Sequence, residues 1–275
     1  MPATPATSSK PSIRLPSPPA PTGPFTRLAR LFRGGLHVFE GLAIMLFLFP
    51  FTTPAGRRRH IRRWSAQLLA LFGVRVKVKG EAPGRSDAPL MLAANHVSWL
   101  DIFVILARVD VRFVSKSEVR QWPLVGYLAA TAGTLFLRRA RKTHVAQINR
   151  EIGEALTAGD LVAIFPEGTA TDGGELLPFH ASLLAPATAA GVPVQPVALR
   201  FADVHGTLNT DAAYDGDKSL IDTLRLMTRH RTIVAELNFL PVVKSSGRTR
   251  RELATSLEKS VARALNVPAP KRHAR

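Results

Sequence analysis

Between Val74 and Leu199 the sequence lays down six short apolar segments: "VRVKVKG" (74–80), "PLMLAA" (89–94), "RFVS" (112–115), "TLFL" (134–137), "LVAIF" (161–165) and "VQPVAL" (194–199). The first alternates with period 2, and the rest are too short for a stable helix and too apolar for a loop, so each reads as a strand. Between the fourth and fifth, "THVAQINREIGEALTAG" (143–159) puts Val145, Ile148, Ile152 and Leu156 at helical spacing and stops on Gly159, as a crossover helix does. This alternation predicts an α/β domain with a mixed, mostly parallel sheet flanked by helices. "TIVAELNFLPVV" (232–243) reads as a late strand, and "TRRELATSLEKSVARAL" (249–265) as a basic C-terminal helix. No internal repeat is visible.

Outside this body the composition shifts. Residues 1–24 hold eight prolines among Ser, Thr and Ala, which predicts a disordered leader, and they lack the charged and apolar regions of a signal peptide. Residues 25–65 carry an apolar stretch, Gly41 to Phe51, between Arg27, Arg30, Arg33 and the run Arg57, Arg58, Arg59, Arg62, Arg63. Those eleven residues are too few for a bilayer span of roughly 20. Extending the stretch to 34–56 admits Glu40 and the helix-interrupting Pro50. The segment is expected to dip into one leaflet with its arginines on lipid phosphates; a single span and a buried core helix are the competing readings. The boundaries that follow are a leader (1–24), a membrane-associating helical segment (25–65), a main domain (66–243) and a basic C-terminal helix and tail (244–275).

The chain of 275 residues has 37 Lys plus Arg against 20 Asp plus Glu, a formal charge of +17, which calls for an anionic partner. Phospholipid, nucleic acid and an acidic carrier protein all qualify. The absence of cysteine removes thiol nucleophiles and cysteine-bound zinc, and the histidines show no close pair at metal-ligand spacing. Neither a P-loop nor a serine elbow occurs.

Four of the strands stop directly on polar residues: Asn95-His96, Lys116, Arg138-Arg139, and Pro166-Glu167-Gly168-Thr169. In a parallel sheet the carboxyl ends of the strands share one edge, where ligands bind, so a histidine, a lysine, an arginine and a glutamate are expected there together. In "NHVSWLD", His96 and Asp101 are five residues apart, which puts them on different faces of a regular helix. The spacing Ser98-Trp99-Leu100-Asp101 has the capping-box form, with Ser98 as N-cap and Asp101 in the first turn, which leaves His96 just ahead of the helix. Two readings stay open: Asp101 as a cap alone, or Asp101 also orienting the His96 ring. In the second, the carboxylate fixes the tautomer and leaves the other ring nitrogen as a general base. With no protein nucleophile in view, that base would act on a hydroxyl of the substrate.

"NHVSWLD" resembles the His-x4-Asp box of the glycerolipid acyltransferases of the lysophosphatidic acid acyltransferase type. "GTLFLRR" (133–139), "FPEGT" (165–169) and "GVPVQPVAL" (191–199) resemble that family's later blocks in order, and "VSKSEVRQWPLVGYL" matches its Lys-x-Glu segment at Lys116 and Glu118. The resemblance covers roughly residues 65–240 and makes 66–243 an acyltransferase domain. It implies transfer of a fatty acyl group from acyl-CoA or acyl carrier protein, as co-substrate and without a cofactor or metal, to the free hydroxyl of a lysolipid. The first expectation is 1-acyl-glycerol-3-phosphate giving phosphatidic acid, and lyso-ornithine lipid is the alternative. His96 and Asp101 would be catalytic; Arg139, Glu167, Gly168 and Thr169 would bind the acceptor; Lys116 would stabilise the thioester oxyanion. The enzyme would lie on an anionic membrane surface at the cytoplasmic face of the inner or plasma membrane. Many members carry a basic residue after "FPEGT" where this chain has Ala170, which bears on the acceptor's headgroup. A basic lipid- or nucleic-acid-binding protein without catalysis would share the charge, but it has no need of these residues at strand ends, and no nucleic-acid-binding module is recognisable.

Overall fold

A computed structural model describes residues 21–271 apart from 88, 123, 138–141 and 217. Most of the Pro-rich leader therefore lies outside the described residues, as do Arg138 and Arg139, and Lys116 is described by its backbone alone. The elements, in chain order, are α1 (Pro24–Ala43), α2 (Pro54–Leu71), β1 (Val74–Lys79), β2 (Leu90–Ala94), α3 (Leu100–Leu106), β3 (Arg112–Lys116), α4 (Val125–Thr131), β4 (Leu135–Leu137), α5 (Lys142–Thr157), β5 (Leu161–Ile164), α6 (Ala185–Ala190), β6 (Val194–Ala202), α7 (Leu220–Met227), β7 (Ile233–Phe239) and α8 (Arg250–Leu265).

The strands form one sheet in the order β1-β7-β6-β2-β5-β3-β4. From β6 to β4 all neighbours are parallel. β7 runs antiparallel to β6 and parallel to β1, so the sheet is mixed but mostly parallel, as expected. Period-2 alternation sorts the central strands between two cores. Leu90, Leu92 and Ala94 of β2 and Leu161 and Ala163 of β5 face the layer that holds α2 and α3. Met91, Ala93, Val162 and Ile164 face α5, α6 and α8. Burial on both faces explains why these strands are continuously apolar rather than alternating. β1, at the sheet edge, instead shows Arg75, Lys77 and Lys79 to solvent, and such charges block edge-to-edge pairing.

Two of the expected boundaries do not divide the structure. The cut at 65/66 falls inside α2, whose Leu68 and Leu69 are core residues. The C-terminal helix α8 buries Leu253, Leu257 and Val261 in the second core, and Glu258 accepts the Phe179 N–H at 2.6 Å. It is basic in composition but amphipathic in packing, so it belongs to the domain.

α1 continues through a π-helical turn (Ile44–Leu48) and a 3-10 turn (Phe49–Phe51) that accommodates Pro50. The chain then reverses, and Thr53 caps α2 by accepting the Gly56 N–H at 3.2 Å, with Pro54 in the first turn. α1 lies back along α2. A Cβ at Gly34 would stand 2.6 Å from the Phe72 ring and one at Gly41 2.7 Å from Trp64 Nε1, so only glycine permits this approach. The His37 and Trp64 rings stack at 4.7 Å, and Trp64 Nε1 donates to the His37 carbonyl at 2.9 Å. The opposite face of α1 exposes Phe25, Leu28, Phe32, Leu36 and Phe39, and the π-helical turn exposes Phe47.

Candidate active site

The site begins where β2 ends. Asn95 is buried; its Oδ1 accepts the Leu199 N–H at 2.7 Å and its Nδ2 donates to the Leu199 carbonyl at 2.9 Å. Main-chain pairing of β2 with β6 has stopped at Ala94↔Val197, so the Asn95 amide replaces the next rung of the ladder and fixes the direction in which the chain leaves the sheet. His96 follows at the carboxyl edge.

His96 Nδ1 lies 2.8 Å from Asp101 Oδ2. The same oxygen accepts the N–H groups of Val97 at 2.7 Å and Ser98 at 2.9 Å. Asp101 is fully buried, and its carboxylate both ties down the start of α3 and orients the imidazole, so of the two readings the second holds and a cap alone does not. The cap differs in detail from the expectation. The helix begins at Leu100, and the Ser98 hydroxyl accepts the N–H of Leu100 at 3.3 Å rather than that of Asp101. Because a carboxylate only accepts, Nδ1 carries a proton, so in the neutral ring the lone pair lies on Nε2; no described residue bonds to Nε2. The ring packs face to face on Phe165 at 4.2 Å, and Phe165 stacks on Phe113 at 5.6 Å.

Glu167 stands behind this arrangement. Its Oε1 accepts the His96 N–H at 2.7 Å and its Oε2 the Leu177 N–H at 2.8 Å, and the residue is buried. Burial pushes the carboxyl up to about 7, against the pull of the two N–H groups, with the Asp101 and Glu175 charges adding to the rise. Gly168 adopts φ +73° as its N–H closes a turn onto the Phe165 carbonyl at 3.0 Å, and Thr169 is exposed beyond it. The Thr171 N–H reaches the His96 carbonyl at 3.0 Å, and Tyr214 donates its N–H to the Val97 carbonyl at 2.8 Å. The loop that carries His96 is therefore held by main-chain bonds from two other loops.

Of the residues expected at the site, the structure brings His96, Asp101, Glu167, Gly168 and Thr169 together. β3 ends at Lys116 on the same edge, two strands from β2, and Arg139 is outside the described residues. Asn95, Phe165 and Thr171 were not anticipated. Asn95 had a visible signal, a buried-strand run ending on an amide, whereas the stacking of Phe165 on His96 joins residues far apart in sequence and had none.

Residues 75–200 match the Acyltransferase family model. Over 209 residues the chain is 41% identical to a lyso-ornithine lipid O-acyltransferase of Pseudomonas aeruginosa, covering 76% of this chain and 79% of that one. This chain belongs to the acyltransferase family. The acyltransferase is also 32% identical over 238 residues to a 1-acyl-sn-glycerol-3-phosphate acyltransferase of Neisseria meningitidis, covering 86% of this chain and 92% of that one. Its fold matches the crystal structure of the 1-acyl-sn-glycerophosphate acyltransferase PlsC of Thermotoga maritima with a TM-score of 0.69, at 24% identity over 88% of this chain and 94% of that one. In this enzyme, the matched region contains the whole His96–Asp101–Glu167 constellation.

Proposed function

We propose that this enzyme acylates the free hydroxyl of a lysolipid, with His96 as general base. The observation that carries this reading is the 2.8 Å contact of His96 Nδ1 with buried Asp101, which leaves Nε2 able to take a proton. Nε2 removes the acceptor's hydroxyl proton as its oxygen attacks the thioester carbonyl. The C–O bond forms, the tetrahedral intermediate expels the thiolate, and the imidazolium returns its proton to sulfur. Asp101 stabilises the imidazolium during that interval. Lys116, at the end of β3, is the side chain assigned to the oxyanion. The thioester, acyl-CoA or acyl carrier protein, is a co-substrate, and the chemistry requires no further cofactor.

Glu167 takes a different part from the one its motif suggested. With both oxygens on main-chain N–H groups, it sets the position of His96 rather than meeting the acceptor. Gly168 and Thr169 remain the parts of that turn assigned to substrate.

The acceptor we favour is lyso-ornithine lipid. Ala170 stands where a phosphate-binding cation is common, and exposed Asp172 follows two residues later, a carboxylate suited to an ornithine ammonium. Relatives in Pseudomonas aeruginosa (41%) and Rhizobium meliloti (37%) bear that acceptor in their names. The second reading, 1-acyl-glycerol-3-phosphate, is favoured by Arg139 at the end of "GTLFLRR", whose guanidinium fork fits a phosphate monoester. Offering the purified protein both lysolipids with each thioester donor, and identifying products by mass, tests the reading. Acylation of neither would refute it.

The enzyme works at the cytoplasmic face of a membrane, with α1 in one leaflet. Pro24–Phe51 is long and apolar enough to cross a bilayer; its apolar 18-residue window has a mean hydropathy of 1.6 and is only 22% buried, which argues against a core helix. Yet one face is docked along α2 at Gly34, His37 and Gly41, and Arg30 donates to the carbonyls of His230 and Arg231. A helix bound along its length to a water-soluble domain favours lying in the interface with its apolar face in lipid. The arginine run of α2 is less available than its composition suggests, since Arg58 pairs with Asp110 at 2.5 Å.

A further inference from the structure

The turn that joins β3 to α4, together with the first turn of α4, carries exposed apolar side chains that the proposed reaction does not use. Trp122, Leu124 and Tyr127 are 39%, 43% and 48% exposed. The turn is built rather than slack. Trp122 N–H donates to the Val119 carbonyl at 3.2 Å and Gly126 N–H to the Trp122 carbonyl at 2.9 Å. A Cβ at Gly126 would stand 2.2 Å from the Arg120 carbonyl oxygen, so the closeness of this fold-back depends on glycine. Leu124 adopts φ +65° and ψ −53°, a conformation unfavourable for a branched side chain, in the turn that presents it outward.

Its place in the sheet gives these side chains a common direction with the active site. β3 is parallel to β5 and β5 to β2, so the turn after Lys116 emerges at the edge where His96 emerges from β2. In the strand order, β3 is two strands from β2 on one side, and β7 two strands away on the other, each about 10 Å off at the usual strand spacing. The start of β7 meets the end of β6 at this same edge, through the pair Ala202↔Val234. The beginning of α1 is held there by the bond from Thr22 N–H to the Arg229 carbonyl, with Phe25 and Leu28 exposed. Exposed apolar groups thus flank His96 on both sides along one edge.

We propose that Trp122, Leu124 and Tyr127 form a second membrane contact, entering the headgroup layer of the leaflet that holds α1 and bringing the catalytic edge down onto the lipid surface. The proposal rests on the lysolipid reading and adds to it how the acceptor reaches His96. Tryptophan and tyrosine combine an apolar ring with a polar tip, which suits the boundary between acyl chains and water. Arg120, exposed in the same turn with its guanidinium 5.6 Å from the Phe136 ring, offers a cation to lipid phosphates, and Glu118 is the opposing charge nearby in sequence.

The test uses the full chain and vesicles of anionic phospholipid whose acyl chains carry bromine, a contact quencher of tryptophan emission. Of the three tryptophans, Trp64 and Trp99 are packed against other rings, so Trp122 should supply most of the quenching, and Trp122→Phe should remove more than half of it. Unchanged quenching in bound Trp122→Phe would overturn the proposal. Because no donor or acceptor is present, this outcome is independent of whether lysolipids are acylated. As a second measurement, Leu124→Asp with Tyr127→Asp should weaken vesicle binding about tenfold while turnover of detergent-dispersed acceptor is retained. An equal loss of turnover in detergent and on vesicles would assign the patch to the substrate's acyl chain instead, and would also overturn it.

Discussion

The Glu167 carboxyl group accepts the main-chain N–H of His96 at 2.7 Å, so the glutamate of the third sequence block holds the histidine of the first in place. Glu167 is buried and its carboxyl is pushed up to about 7 from an ordinary 4.5. The unfolded chain ionises this group near 4.5, whereas the folded protein keeps it protonated until about 7. Its contribution to stability is therefore complete below 4.5 and is lost as pH rises through 7. Thermal melts should show a component of stability that declines between those values, on the order of 3 kcal/mol. Glu167→Gln should abolish that component; an identical pH slope in the variant would contradict the assignment. The same variant puts an amide N–H against a main-chain N–H, so turnover should fall with little change in the acceptor's KM.

Replacing His96 with Ala should lower turnover by about 10²–10⁴-fold in a protein that remains folded. Asp101→Asn should lower it too, by removing the charge that stabilises the imidazolium, and it should also cost stability, because Asp101 Oδ2 serves two main-chain donors besides the ring. Steady-state kinetics together with melting curves check both. Near-normal turnover in folded His96→Ala would remove His96 from the mechanism.

Asn95→Ala should leave the Leu199 N–H and carbonyl buried without partners, for a loss of roughly 2–4 kcal/mol by denaturant titration. Turnover should fall as well, since the variant frees the chain just before His96. Asn95→Asp can still accept from the N–H but cannot donate to the carbonyl, and should rescue neither property fully.

A valine at Gly41 would drive a side chain into Trp64, whose indole nitrogen would stand 2.7 Å from the new Cβ. The expected result is partial separation of α1 from α2, a stability loss of about 1–3 kcal/mol and an altered near-ultraviolet tryptophan signal. A melting temperature equal to that of the parent would mean that α1 is not docked along its length.

The acceptor separates two side chains. If lyso-ornithine lipid is the substrate, Asp172→Asn should raise its KM several-fold, by about 1 kcal/mol or more for one lost charge-assisted contact, with the donor's KM unchanged. If the substrate is 1-acyl-glycerol-3-phosphate, Arg139→Ala should act in this way and Arg139→Lys should rescue in part, because an ammonium cannot reproduce the planar fork. Competition between the two lysolipids, run on the parent and both variants, distinguishes the outcomes.

The sequence by itself determined the strands, their α/β arrangement and the meeting of His96 and Glu167 at one sheet edge. Local patterning suffices for these, because buried strands are short apolar runs and the parallel sheet puts their carboxyl ends together. It also determined the His96 and Asp101 pairing as one of two readings, through a spacing that required a bend. Only the tertiary structure decided for the second, in which Asp101 does more than cap, since its Oδ2 can serve the ring and the helix start at once only when His96 folds back over it. The role of Glu167 was likewise hidden: its partners, His96 and Leu177, are 71 and 10 residues away, and the turn after a strand looks the same whether its carboxylate faces a substrate or another loop. The docking of α1 depends on Gly34 and Gly41 meeting the Phe72 and Trp64 rings, and that of α8 on which of its faces meets the sheet. Composition records that these helices are apolar or basic. Which face is covered is set by the neighbours that the fold supplies.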